Sequence, residues 1–171
     1  MSLLAPYDPS WPARFEQIAE ELRTHGDAAW VIEHIGSTAV PGMSAKPIID
    51  VAIRLADARQ FDAHRPALER IGWRRGSGVR THPVMIFCED GIRTRIAHFF
   101  GAGEWDAVNH RILRDWLRAH AEDAARYERA KQDAAAAASR GEAAYNAGKT
   151  AVIQQIVDRA RAARGLPPVD V

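Results

Sequence analysis

The chain has 171 residues, the length of one domain, and its 47% hydrophobic and 26% charged residues are those of a folded protein. Lys and Arg (23) nearly balance Asp and Glu (22), and the net charge of +1 excludes a protein held on nucleic acid by charge alone. A lone cysteine, Cys88, excludes an intramolecular disulfide and a cysteine-built zinc cage. Flanked by Phe87 and Ile86, it reads as a small buried hydrophobe. No apolar run approaches the ~20 residues of a membrane helix. The first residues, Met1 to Pro6, lack the charged-then-apolar pattern of a signal peptide. A soluble, cytoplasmic protein is expected.

In chain order, the first predicted helix starts at Asp8-Pro9 or Ser10 and carries one apolar stripe, Trp11, Phe15, Ile18 and Leu22, before Gly26 ends it. A short strand follows from Trp30 to Ile35 and runs into Gly36-Ser37-Thr38. Pro41-Gly42 and Pro47 make 39–46 a loop or one broken helical turn. The next strand, Ile48 to Leu55, alternates: Ile49, Val51, Ile53 and Leu55 on one face, Asp50, Ala52 and Arg54 on the other. That second face is expected to be partly open to solvent or ligand. Asp57 caps a helix with Phe61, Leu68 and Ile71, stopped by Gly72. Val84–Cys88 and Arg93–Phe100 read as a hairpin around Glu89-Asp90-Gly91.

The remainder reads as helix. Trp105, Val108, Ile112, Trp116 and Ala119 form one stripe, and Tyr127 and the alanines of 134–138 suit a further helix. Gly141 interrupts it. A last helix places Tyr145, Lys149, Ile153 and Ile156 on one face, and Gly165-Leu166-Pro167-Pro168 reads as a frayed end. With no repeats and no linker, residues 1–171 are expected to form a single α+β domain. Its strands lie in the first 100 residues and its helices behind them.

One segment concentrates the chemistry. A strand ends at Gly36-Ser37, the chain loops, and the next strand delivers Asp50, 13 residues after the serine. Gly36 lets the backbone approach a phosphate, and the amides of Ser37 and Thr38 can point at its oxygens, unless the two residues form only a turn or cap. Asp50 can hold a divalent cation that bridges to those phosphates, and Lys46 lies in the loop between. The bland alternative for Asp50 is a salt bridge to Arg54 on the same strand face.

The run HIGSTAVPGMSAKPIID resembles the GrpB family, as do Pro6-Tyr7-Asp8-Pro9-Ser10-Trp11, Arg93-Thr94 with Ile96-Ala97-His98, Arg114-Asp115-Trp116-Leu117-Arg118-Ala119-His120, and Tyr145 with Lys149-Thr150. The resemblance covers nearly the whole chain. It implies the nucleotidyltransferase superfamily: a small mixed sheet of four to five strands, of the polymerase-beta palm type, backed by helices. Some relatives in that family are fused to dephospho-CoA kinase. Active members of the superfamily carry Gly-Ser, an Asp-x-Asp or Asp-x-Glu pair and a third acid on a later strand, which together hold two Mg²⁺ ions. Here Gly36-Ser37 and Asp50 match, but Ala52 replaces the second acid and Arg93–His98 contains no acid. At most one metal per chain is expected.

Imidazole is the candidate replacement. His34 and His98 with Asp50 make a two-histidine, one-carboxylate set for a divalent metal such as Mn²⁺ or Zn²⁺, or supply a general base beside one Mg²⁺. Each histidine is equally readable as a core residue. Lys149 can reach a triphosphate or merely snorkel off its helix, Arg95 shares a strand face with Arg93 that is readable as a solvated face or as a binder of phosphate or carboxylate, and Arg111 with Asp115 reads as a helix-surface ion pair.

The expected activity is nucleotidyltransferase-like, using a nucleotide or other phosphorylated donor and a small-molecule acceptor. Asp50, His34 and His98 are its candidate catalytic residues, and Asp50 and His98 its candidate metal ligands. Gly36, Ser37, Thr38, Lys46, Lys149 and Arg95 are the candidate donor-binding residues. A nucleoside triphosphate or CoA-like ligand and one Mg²⁺, Mn²⁺ or Zn²⁺ are the expected small molecules; neither a membrane nor nucleic acid is an expected partner. The alternatives are the same fold reused for a condensation or cyclisation with histidine acid/base groups, and an inert nucleotide- or CoA-binding module.

Overall fold

Trp11, Ile18 and Leu22 are all buried in α1 (Trp11–His25), and Phe15 packs partly buried beside them, as the helical spacing predicts. The computed structural model that places them describes residues 4–77, 79–139 and 145–171. Asp8 accepts a hydrogen bond from the Ser10 amide at 2.8 Å and shapes the turn into this helix. The helix packs on a sheet of five strands in the order β1-β2-β5-β4-β3: β1 (Val31–Ile35), β2 (Ile49–Leu55), β3 (Arg74–Arg75), β4 (Val84–Glu89) and β5 (Ile92–Gly101). Only β2 and β5 run parallel; the other neighbours are antiparallel. The fold is therefore α+β with a small mixed sheet, as expected. No helix among the described residues is long and apolar enough to cross a membrane.

The alternation in β2 sorts the two faces of the sheet. Ile49, Val51, Ile53 and Leu55 join Met85, Ala97 and Phe99 under α1 and α2 (Gln60–Arg70), together with the fully buried Trp73. On the other face Asp50 and Ala52 lie beside Ile96 and His98 of β5, with Ile35 and Glu33 of β1 on their far side. Part of that face is covered: Ile35, Ala52 and Phe100 bury against Trp105 and Val108. The helices α3 (Asn109–Ala119), α4 (Ala121–Ser139) and α5 (Tyr145–Ala163) pack through Leu117, Tyr127 and Ile156 onto Val40 and Met43 of the loop between β1 and β2. The rest of the face, around Asp50, stays open toward these helices.

The β4–β5 hairpin closes through Asp90 and Gly91, both with positive φ (50° and 77°), the geometry a two-residue turn requires.

Several expectations are corrected. Cys88 is exposed, because β4 runs out beyond its helices near the turn and the pairing slips between Phe87 and Cys88. Trp105 sits in a separate single turn, Trp105–Ala107, cut from α3 by the extended Val108. Arg111 and Asp115 do not pair with each other: the fold brings Glu33 to Arg111 and Arg164 to Asp115, and the neighbouring Arg114 also binds Asp115. The C-terminal tail is not frayed. The Pro167 carbonyl accepts from Arg161, and Gln154 bonds to both Val169 and Val171. Gly141 and the side chain of Tyr145 lie outside the described residues.

Candidate active site

The turn after β1 is built around Asp50. Gly36 has φ +76°, and a Cβ there would stand 2.7 Å from Asp50 Oδ2. Any side chain would both strain the backbone and displace the carboxylate, so Gly36 sets how near the turn comes to Asp50. Ser37 follows in a single helical turn, Ser37–Ala39, and its hydroxyl meets the Tyr127 hydroxyl at 3.5 Å. Burial raises the Tyr127 pKa above its ordinary value.

Two cavities meet at Gly36, Ser37 and Tyr127. The smaller, about 220 Å³, brings Ser37, Asp50, Lys46, Lys131 and Lys149 around one space. Every lysine in the chain is there. Lys131, which the sequence reading did not single out, donates to the Ser44 carbonyl and lies over the Tyr127 ring. Burial pushes its pKa down to about 8; Glu128 opposes the shift and Lys149 adds to it. The larger cavity, about 420 Å³, lies between α3, α5 and the C-terminal tail; Leu113, Leu117, Ile153 and Val157 give it an apolar wall.

Where the sheet face opens, Asp50 Oδ1 stands 3.5 Å from His98 Nε2. His98 Nδ1 is 2.8 Å from His82 Nε2, and His82 Nδ1 is 2.9 Å from the Thr81 hydroxyl. A carboxylate only accepts, which fixes the proton order in a neutral chain. His98 donates through Nε2 to Asp50, His82 donates through Nε2 to His98, and Thr81 donates to His82. Burial, with His98 adjacent, lowers the His82 pKa to about 4, so this imidazole is neutral at physiological pH. His110, at the start of α3, places its ring 4.9 Å from that of His98 and 5.5 Å from that of His82. His82 and His110 are missing from the sequence reading; His110 lies outside what local spacing can connect to His98, whereas the β4–β5 hairpin register brings the residues next to His82 opposite His98.

Of the residues expected at the site, Gly36, Ser37, Thr38, Lys46, Asp50 and Lys149 line one cavity, and His98 adjoins Asp50. Two do not join them. His34 faces the α1 side of the sheet, stacked on Phe15 at 5.0 Å, and its Nε2 meets the Thr38 hydroxyl at 2.9 Å. Thr38 gives its own proton to the Ile48 carbonyl, so its hydroxyl is occupied with holding the turn and His34 is the donor. Burial, then the charges of Arg118 and Arg114, lowers the His34 pKa to about 4. Arg95 also points to the α1 side, where it binds Glu21 and Glu89 and lies 4.3 Å over the Phe87 ring. The set His34–Asp50–His98 is therefore not assembled, because strand alternation puts residue 34 on the face opposite Asp50.

The acid set of a two-Mg²⁺ centre does not fit either. Ala52 is fully buried without a ligand atom, and Glu33 beside it is held by Arg111 at 2.9 Å and Arg114 at 2.8 Å. Burial alone would raise the Glu33 pKa, but these two hydrogen-bonded guanidinium groups outweigh it and hold it below the carboxylate range. Asp50 remains as a carboxylate able to share one cation with a ligand's phosphates. It has no ion pair with Arg54 among the described residues.

The model of the GrpB family, described as GrpB protein, matches residues 3–159. The chain belongs to the GrpB family. It is 34% identical over 163 residues to UPF0157 protein BH1888 of Halalkalibacterium halodurans, covering 93% of this chain and 82% of that protein. The crystal structure of the conserved protein GrpB from Enterococcus faecalis superposes with a TM-score of 0.81 at 26% identity, over 95% of this chain and 99% of the other. A fainter likeness, TM-score 0.45 at 11% identity over 75% of this chain and 45% of the other, is to the Cid1 poly(U) polymerase; it is too distant to bear on the reaction. The names of these two GrpB proteins state no activity.

Proposed function

We propose that this GrpB protein is a nucleotidyltransferase-like enzyme that binds a nucleotide or other phosphorylated donor and a small-molecule acceptor. The observation that carries this reading is the convergence of Lys46, Lys131 and Lys149 with the Ser37 turn and Asp50 around one cavity. Three ammonium groups held together repel one another, and an anion with several charges relieves that repulsion. The lysines and the turn amides would hold the donor's phosphates, and Asp50 would hold a divalent cation that offsets their charge. The apolar cavity beyond Tyr127 receives the organic part of a substrate. His98, with its Nε2–H held by Asp50, serves as the general base through Nδ1 once the acceptor takes the place of His82 at that nitrogen.

A second reading is favoured by the Thr81–His82–His98–Asp50 chain opening beside that apolar cavity: the fold reused for a condensation or cyclisation, with His98 as the acid/base group. Calorimetric titration with nucleoside triphosphates, nucleoside diphosphates and CoA, with and without Mg²⁺ or Mn²⁺, separates the two. The donor reading expects cation-dependent binding that Lys131→Met and Asp50→Asn each weaken more than tenfold. Binding of none of these phosphates under any condition overturns it.

A further inference from the structure

Three imidazoles, from the loop before β4, from β5 and from the start of α3, converge on one point. One ring nitrogen from each of His82, His98 and His110 lies within 4.8 Å of the other two. We propose that these histidines form a binding site for one divalent transition-metal ion of the zinc type, open on its fourth side to the apolar cavity. This site lies beside the lysine cavity and shares His82 and His98 with the donor reading; an ion on His98 Nδ1 takes the nitrogen that would act as base there, and His110 has no role in that reading.

The donor set selects the ion. Three neutral imidazoles suit Zn²⁺, Co²⁺, Ni²⁺ or Cu²⁺ and not Mg²⁺, which wants oxygen. Three protein ligands leave a tetrahedral ion one free position, the arrangement of sites that take water or substrate. Here that position faces a space: Thr81 and His110 line the larger cavity, and His110 is exposed at its mouth.

The surroundings match what holds a metal-binding histidine in place. Such a ligand usually gives its second ring nitrogen to a carboxylate, carbonyl or hydroxyl, which sets its tautomer and orientation. If His98 binds through Nδ1, its Nε2–H already faces Asp50. If His82 binds through Nε2, its Nδ1 already faces the Thr81 hydroxyl, which can accept as well as donate. Phe100 packs against the His82 ring at 4.3 Å, and the Phe99 amide bonds to the Pro83 carbonyl at 3.0 Å, which fixes the loop carrying His82.

The one adjustment needed is small. His82 Nε2 and His98 Nδ1 are 2.8 Å apart because they share a proton. Around a tetrahedral ion with Zn–N near 2.0–2.1 Å, two ligand nitrogens stand about 3.3 Å apart, so the pair opens by roughly half an ångström as the ion replaces that proton. His110 is what a proton chain leaves unexplained. Among the described residues its ring makes aromatic contacts with His82, His98 and Phe100 and no hydrogen bond.

The test uses the full, untagged chain, stripped with a chelator and titrated with Co²⁺ and then Zn²⁺. One Co²⁺ per chain is expected, with the intense visible bands of tetrahedral coordination, bleached by Zn²⁺. His110→Ala, at an exposed helix start, and His82→Ala should each abolish those bands. Asp50→Asn should keep one ion per chain but weaken it roughly 10–100-fold. Lys131→Met should leave Co²⁺ binding unchanged while losing phosphate binding, so this site and the donor reading fail separately. In the unaltered protein, Zn²⁺ should move the ring NMR signals of His82, His98 and His110 and leave those of His34 in place, a readout that needs no variant. No Co²⁺ bands, bands that survive both histidine substitutions, or unmoved ring signals overturn the proposal.

Discussion

Two acids stand on the same face of the sheet, one on each of two paired strands, and they live differently. Glu33 is held by two arginines, Arg111 and Arg114, at hydrogen-bond distance, and Arg114 also binds the His34 carbonyl and Asp115. Among the described residues Asp50 has one partner at 3.5 Å, His98, and a cavity on its open side. A carboxylate whose lone pairs are filled by guanidinium groups serves the fold, because removing either side leaves a charge without its counter-ion. A carboxylate with vacant lone pairs beside lysines and imidazoles has acceptor capacity left for a ligand or cation. The same contrast separates the two histidines read from the sequence: His34 is stacked and locked against Phe15 and Thr38, whereas His98 links a carboxylate to a second imidazole.

This contrast fails if both acids respond alike to substitution. Arg114→Met should cost about 2 kcal/mol of unfolding free energy, because it removes a buried guanidinium that bonds Glu33, Asp115 and the His34 carbonyl while Arg111 still holds Glu33; urea denaturation measures it. Asp50→Asn should change the same quantity by less than about 1 kcal/mol, yet reduce cation-dependent phosphate binding more than tenfold. A destabilisation by Asp50→Asn as large as that of Arg114→Met would make Asp50 structural.

Acid sharpens the contrast between the histidines. Folded His34 titrates near 4, against an ordinary value of 6.5. Between those values the unfolded chain binds the proton and the folded chain does not. Stability is therefore full above pH 6.5 and falls as pH drops toward 4, by up to about 1.4 kcal/mol per pH unit for this histidine. Denaturation across that window should show the loss, and His34→Gln should flatten the slope by one proton. An unchanged slope in His34→Gln would mean that His34 is not held neutral by the fold.

The lysine cavity offers a smaller effect in the opposite direction of pH. Lys131 loses its charge near pH 8, so phosphate affinity should fall several-fold as pH rises past 8, and Lys131→Met should remove that fall. Calorimetry at pH 7 and pH 9 checks it. The smallest effect belongs to Arg95→Ala. Its ion pairs with Glu21 and Glu89 are on the other face of the sheet, so a stability change near 1 kcal/mol and unchanged phosphate affinity are expected.

Much of the fold was written locally. Alternation in β2 sorted the buried Ile49, Val51, Ile53 and Leu55 from Asp50, and Asp90-Gly91 marked the hairpin, because side-chain periodicity and turn chemistry depend on near neighbours alone. Gly36, Ser37, Lys46 and Asp50 were legible as a phosphate-binding candidate for the same reason: a short loop keeps them close whatever the rest of the chain does. His82 was within reach of that logic. Glu89 pairs with Ile92, so a regular hairpin brings residue 83 opposite His98, and the slip at Phe87 and Cys88 makes the partner Val84.

Tertiary structure decided the rest. Lys131 and Tyr127 reach the cavity only because α4 packs across the loop between β1 and β2, and His110 reaches His98 only because α3 starts over the end of β5. Strand alternation assigns His34 to one face, but which face becomes the site depends on where α1 and the C-terminal helices dock. The tail follows the same rule: Pro167 and Gly165 predict an end to helix, while Gln154 and Arg161 pin that end beside the cavity. Sequence spacing fixes which side chains share a strand or helix face, since that follows from backbone geometry. It does not fix which faces meet, since that is settled by burying the largest apolar surface over the whole chain.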